Sequence, residues 1–273
     1  MLTVTVAQLT AAAPGGNPLI IDAIASQAGR VFAEYALNSR NRILGFLSTA
    51  LEETGGFNAV AENLNYSAER AHEVWPSRFA SAANAEPFAH NPEALANIVY
   101  GGRLGNTLPG SGWKYRGRGL IQITGYDNYA RLQKITGLPL VSQPDLLTNS
   151  QELLECSVAL FCEYPSILTY CDKADWHAVW ALVGSGRANG SVINLVAHED
   201  ALARLQKAIP ALVDAPPVPA PRPPAPIPAP PDIPRPAPAP APVLGTGTMP
   251  EWLWIVLSLA VIGLLVAVWE HFR

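Results

Sequence analysis

Between Ile20 and Ile209 apolar residues recur at three- and four-residue spacing, and no stretch alternates at a period of two convincingly enough to make a strand. The pattern predicts an all-α domain over residues 1–212. One helix reads NRILGFLSTALEE, Asn41 to Glu53, and stops at Thr54-Gly55-Gly56, where a glycine supplies the left-handed conformation that commonly closes a helix. Ile43, Phe46, Leu47, Ala50 and Leu51 form its apolar stripe. Glu53 falls on the edge of that stripe, whereas Glu52 follows Gly45, Ser48 and Thr49 on the polar side.

The pattern changes beyond residue 212. Most of the 26 prolines lie between Pro216 and Pro242, among almost no large apolar side chains, so this stretch buries too little surface to offset the entropy of folding. Residues 213–250 are expected to be a disordered Pro-rich linker, on the order of 80 Å long over Pro216–Pro242 if it holds polyproline II geometry. After it, WLWIVLSLAVIGLLVAVW runs uncharged from Trp252 to Trp269, with tryptophans at both ends. At about 1.5 Å per residue it spans roughly 27 Å, which predicts one membrane-spanning helix over residues 251–270. The start of the chain lacks the basic and apolar runs of a signal peptide. The expected plan is domain, tether and C-terminal anchor in a single-pass membrane protein.

Charge and the rarer residues narrow the chemistry. With 18 Lys+Arg against 22 Asp+Glu and no basic run, nucleic acid is not an expected partner. Cys156, Cys162 and Cys171 match no metal or redox spacing and read as free thiols, with one disulfide left open. His72, His90, His177, His198 and His271 show no metal-ligand spacing and no H-E-x-x-H is present. No metal or cofactor is expected, and a peptidase or amidase is a weak reading.

Carboxylates carry the stronger signal. A carboxyl at the edge of an apolar face, at a helix C-terminus where the macrodipole disfavours negative charge, should have a raised pKa, as a general acid at neutral pH requires. Glu53 is so placed. Nine residues later Glu62 opens Glu62-Asn63-Leu64-Asn65-Tyr66, a loop whose Asn and Tyr side chains suit sugar hydroxyls and amides. Two carboxylates joined by a Gly-containing loop can flank one glycosidic bond, about 6.5–9.5 Å apart in an inverting hydrolase. Within Trp113 to Gly125, WKYRGRGLIQITG, Gln122 and Thr124 share a face if the segment is extended, where they could orient the attacking water.

Five motifs in order, E-T-G-G-F, E-N-L-N-Y-S-A, W-P-x-R-F at Trp75–Phe79, N-x-V-Y-G-G-R at Asn97–Arg103 and Y-R-G-R-G-L-I-Q-I-T-G, resemble the family 19 glycoside hydrolases. The resemblance covers roughly residues 5–209 and is nearer the bacterial and phage endolysin branch than the plant chitinases, which separate the two Glu by a longer insertion. It implies a lysozyme-like helical fold and inverting cleavage of β-1,4 bonds between N-acetylated amino sugars. Glu53 matches the family's general acid, Glu62 the general base and Thr124 the residue that helps hold the water. Gln122, Tyr115 and Asn128 match positions in the substrate cleft, and Tyr66 and Arg187 complete the expected binding set. Two departures stand out: Glu52 where relatives carry His, and Val183-Gly184-Ser185-Gly186-Arg187 in place of Ile-Asn-Gly-Gly. The endolysin branch implies a peptidoglycan glycan strand as substrate, action in the periplasm or cell wall, the bacterial inner membrane as the anchor's partner, and a holin as a candidate partner. Chitin, or a site decayed to glycan binding or lysis regulation, are the alternatives.

Overall fold

The computed structural model describes residues 2–214. Twelve α-helices follow one another among them: α1 (Val6–Ala12), α2 (Pro18–Glu34), α3 (Arg40–Glu53), α4 (Ala68–Val74), α5 (Ala82–Ala85), α6 (Pro92–Tyr100), α7 (Ser111–Lys114), α8 (Tyr126–Thr136), α9 (Leu153–Cys162), α10 (Ile167–Asp172), α11 (Trp176–Ser185) and α12 (Leu195–Ala208). The all-α expectation describes this order well. Its exceptions are short. Strands β1 (Leu2–Thr3) and β2 (Val213–Asp214) pair antiparallel, Leu2 opposite Asp214 and Thr3 opposite Val213. The first two residues expected to be linker are therefore paired with the start of the chain. The rest of the expected linker, 215–250, and the expected membrane helix over 251–270 lie outside the described residues. Among the described residues no helix is long and apolar enough to cross a membrane.

The helix that ends at Glu53 sits in the larger of two apolar cores. Ser39 caps it, its hydroxyl accepting the Arg42 N–H at 3.3 Å. The expected stripe of Ile43, Phe46, Leu47, Ala50 and Leu51 is at most 1% exposed, and Phe46 meets Phe32 and Phe161 edge to face. The polar side is buried too, against expectation, with Ser48 and Thr49 at 0%. Helices α10, α11 and α12 pack against α3. Small residues permit that approach: a Cβ at Gly45 would stand 2.5 Å from Cys171 Sγ, and Ser48 Oγ accepts the Trp180 indole N–H at 3.1 Å. A helix wrapped on every side holds its last residues where packing sets them, which is the condition for positioning Glu53.

A smaller core gathers Leu64, Ala68, Ala71, Phe79, Ala85, Leu95, Ala96 and Val99, from the segment after Glu62 through α4, α5 and α6. Between the cores runs a short ribbon of backbone pairs, with Ala61 opposite Arg118 and Arg118 opposite Ile123, both antiparallel. Hydrogen bonds Glu62 N to Gly117 O (2.9 Å), Gly119 N to Val60 O (2.8 Å) and Ile123 N to Arg118 O (2.7 Å) close it. Arg118, 2% exposed, fastens the ribbon from behind through Asp145 (2.7 Å), Lys114 O (2.8 Å) and the Tyr129 hydroxyl (3.0 Å).

Candidate functional site

Glu53 is the last residue of α3, and the backbone turns away at once through Gly55 and Gly56, both at positive φ. Thr54 fixes that turn: its hydroxyl donates to Ala50 O at 2.6 Å and accepts the Phe57 N–H at 2.8 Å. Burial pushes the Glu53 carboxyl up to about 7, and the neighbouring Glu52 adds to the shift, while no hydrogen bond lowers it. It is an acid that keeps its proton near neutral pH.

Glu62 is set differently. The ribbon holds its backbone to Gly117, and its carboxyl takes the Tyr100 hydroxyl on Oε1 at 2.5 Å and the Gly117 N–H on Oε2 at 3.3 Å. Burial raises its pKa, but Tyr100, Gly117 and the Arg116 guanidinium all pull it back by favouring the charged form. Arg116 itself lies over the Trp113 ring, 3.7 Å from the centroid. Tyr100 ends α6 and is the functional residue that sequence reasoning missed. Its motif, N-x-V-Y-G-G-R, was legible as a motif, but nothing in it says that the tyrosine reaches a carboxylate 38 residues earlier.

Gln122 stands next to Glu62. A Cβ at Gly117 would lie 2.8 Å from Gln122 Oε1 and 3.3 Å from Glu62 Oε2, so the missing side chain lets these two meet across the backbone. The segment is not extended at Gln122, so the condition for Gln122 and Thr124 to share a face is not met. Gln122 has φ +49, a left-handed conformation that costs a non-glycine residue about 1–3 kcal/mol and is held by the ribbon on either side. Thr124 turns its hydroxyl back onto Gln122 O at 3.1 Å, and Asn128 donates to Thr124 O at 2.8 Å. These three form one turn, with Gln122 its member next to Glu62.

The remaining expected binding residues scatter. Tyr66 is half-buried at the edge of the smaller core, its ring against Trp75. Tyr115 is 5% exposed, packs against Tyr126 and Tyr129 and donates to Val141 O at 3.0 Å, so its place is in the core, where its hydroxyl is already used. Arg187 is exposed just beyond the end of α11, with its carbonyl accepting the Gly190 N–H. Two cavities of about 410 and 590 Å³ open elsewhere, one lined by Trp176, Trp180 and Glu199, the other by Leu19, Asp22 and Arg30. Neither is lined by Glu53 or Glu62.

The other unforeseen partners belong to Glu52. Far from facing solvent, it accepts the Asn194 amide on Oε1 at 3.0 Å and brings Oε2 within 3.5 Å of His198 Nε2. Glu52, Glu53 and His198 each offer one ligating atom within 4.8 Å of the others, the one such group among the described residues that could hold a metal ion. All three cysteines are free, and burial raises their pKa values, the opposite of what a nucleophilic thiol needs.

No family model matches the chain. It is similar to a glycosyl hydrolase family 19 domain-containing protein of Haemophilus influenzae, 47% identical over 94 residues, which is 34% of this chain and 47% of that protein. The chain spans about half the length of the curated relative it matches. Among solved structures, a mutant of chitinase C aligns with TM-score 0.50 and 14% identity over 75% of this chain and 76% of its own. Chitinase C from Streptomyces griseus aligns with TM-score 0.48 and 15% identity over 78% and 95%. The first likeness concerns the fold: this is a helical architecture similar to that chitinase.

Proposed function

We propose that the chain is a glycoside hydrolase of the family 19 type, cleaving β-1,4 bonds between N-acetylated amino sugars by single displacement. One observation carries this reading: two carboxyls nine residues apart in the chain have pKa values set by different groups. Burial and the Glu52 charge push the Glu53 carboxyl up to about 7 with no hydrogen bond to lower it, while Glu62, also raised by burial, is pulled back toward the charged form by Tyr100, Gly117 and Arg116. In this mechanism Glu53 protonates the leaving oxygen, and Glu62 takes a proton from a water that attacks the anomeric carbon from the other face. Gln122, next to Glu62, and Thr124, which turns back onto Gln122 O, hold that water. The similarity to the Haemophilus influenzae protein and the chitinase-like fold support the same class of chemistry.

Within that class we favour peptidoglycan, cut between N-acetylmuramic acid and N-acetylglucosamine, because the short Glu53–Glu62 interval and the motif order resemble the endolysin branch. The apolar run Trp252–Trp269 and the proline-rich stretch before it support a membrane-tethered enzyme whose tether spans to the wall. Chitin is the second substrate to test. Digestion of purified sacculi and of chitin side by side, with fragment masses and the anomeric configuration of the first product read out, decides both points. An α-anomer released from sacculi is the expected result; a β-anomer ends the single-displacement reading, and cleavage of chitin alone ends the muramidase reading.

A further inference from the structure

His198 lies near the start of α12, 4% exposed, with its ring stacked on Trp180 at 5.0 Å between centroids. Its Nδ1 is buried without a hydrogen-bond partner. Its Nε2 points at Glu52 Oε2 from 3.5 Å, longer than an ordinary hydrogen bond. Asn194 occupies the other oxygen of Glu52, which turns Oε2 toward the imidazole. Glu53 follows Glu52 directly, and the three donor atoms lie within 4.8 Å of one another. Two adjacent carboxylates thus stand beside one buried imidazole, with an oxygen of Glu52 turned toward its Nε2. The proposed hydrolysis uses neither His198 nor Asn194.

We propose that Glu52, Glu53 and His198 bind one divalent transition-metal ion of the zinc class, and that its binding switches hydrolysis off by taking the Glu53 carboxyl as a ligand. The binding half stands on geometry alone; the inhibitory half rests on the hydrolase reading above. One imidazole nitrogen and two carboxylate oxygens suit zinc, which keeps a fourth position for water, whereas magnesium and calcium favour all-oxygen sites. Tetrahedral ligation at about 2.0–2.2 Å spaces donor atoms by about 3.4 Å, which side-chain rotation brings within reach of the observed grouping. Around it stand an orienting amide on Glu52 and an aromatic face that locks the imidazole, as second contacts of a metal site commonly do. A ligating carboxyl must be ionised, so binding releases the Glu53 proton to solvent and leaves no acid to protonate a leaving oxygen.

Titration calorimetry of the chelator-stripped full chain with Zn²⁺ tests the site, and Co²⁺ provides an absorption spectrum of the bound ion. We expect one Zn²⁺ per chain, no saturable heat from Mg²⁺ or Ca²⁺, and affinity lowered about 10-fold or more in both Glu52→Gln and His198→Gln. Because His198 is buried, circular dichroism checks that variant, and Glu52→Gln decides if it fails to fold. Absence of a stoichiometric site, or Zn²⁺ affinity unchanged in Glu52→Gln, overturns the proposal. Glycan cleavage by the stripped chain should be lost on adding Zn²⁺ and regained with chelator; persistence of cleavage at saturating Zn²⁺ overturns the inhibitory half. Should the stripped chain cleave no glycan at all, the hydrolase reading fails and calorimetry still settles the metal.

Discussion

Around Glu53 the chain is a packed solid, with α3 enclosed by α10, α11 and α12 and by the Phe32, Phe46 and Phe161 cluster. Around Glu62 there is a ribbon of a few backbone pairs, and beyond it a smaller core in which four of the eight buried residues are alanines. The two carboxyls differ accordingly. Burial accounts for most of the rise at Glu53; at Glu62 burial is again the largest cause and the pKa stays raised, but Tyr100, Gly117 and the Arg116 charge pull it part of the way back. Perturbing one region should therefore act on one limb of the pH profile and leave the other in place.

The largest separation comes from Glu53→Gln. It removes the proposed proton donor, and glycan cleavage should fall by about 10²–10⁴-fold. Stability should move the other way. The folded pKa of Glu53 is raised from 4.5 to about 7, so this group's contribution is fully present below pH 4.5 and is lost as pH rises through 7. Neutral glutamine escapes that loss, and thermal unfolding at pH 8 should show the variant more stable by at most roughly 3 kcal/mol, with little difference at pH 4. A variant less stable than the parent at pH 8 would mean that the acid is not held by burial.

Packing is tested next. Phe46→Ala removes a fully buried ring from the larger core and should cost about 3–5 kcal/mol of global stability by denaturant titration. Leu95→Ala, in the smaller core, should cost about 2–5 kcal/mol. Hydrogen exchange should place that loss over residues 64–100 and spare α2 and α3. Equal loss of protection in both regions would show a single cooperative unit and remove the basis for treating acid and base separately.

A smaller effect isolates the base. Tyr100→Phe deletes the hydroxyl on Glu62 Oε1 and little else. A hydrogen bond to a charged group contributes about 1.5–3 kcal/mol, so the acidic limb of the rate profile should move up by about one pH unit or more while the basic limb stays. A shift of the basic limb instead would assign Tyr100 to the acid.

These contrasts explain what could be read from the chain beforehand. Helical periodicity, the buried stripe of α3 and the Gly55-Gly56 stop were legible because each is a local pattern of spacing and propensity. Glu53 was legible for the same reason, since its helix alone places it on an apolar edge. The face of Glu52 was misread because Gly45, Ser48 and Thr49 look polar in sequence yet are small enough to admit other helices, and smallness rather than polarity decided the outcome. Tyr100 on Glu62, and Asn194 and His198 on Glu52, are tertiary contacts 38, 142 and 146 residues apart, with no local pattern to announce them. The conformation of Gln122 was left open because nothing in its neighbours signals a positive φ.

The finest test of the comparison lies within the acid's own surroundings. Burial is the main cause of the raised Glu53 pKa and Glu52 the lesser one. Glu52→Gln, measured on chelator-treated protein, leaves the packing of α3 and the Asn194 contact largely intact, because a glutamine oxygen can accept the same amide hydrogen. Only the neighbouring negative charge goes. Glu53 must carry its proton to act as the acid, so activity falls as pH rises through its pKa, and removing a repelling charge lowers that pKa. The basic limb should therefore move toward acid by a fraction of a pH unit, with the acidic limb, set by Glu62 and its hydrogen bonds, unmoved. A shift toward alkaline pH would reverse the sign of the interaction and point to His198, freed from Glu52, as the group that governs Glu53. A shift as large as a whole unit or more would overturn the ranking, making charge rather than packing the main source of the acid.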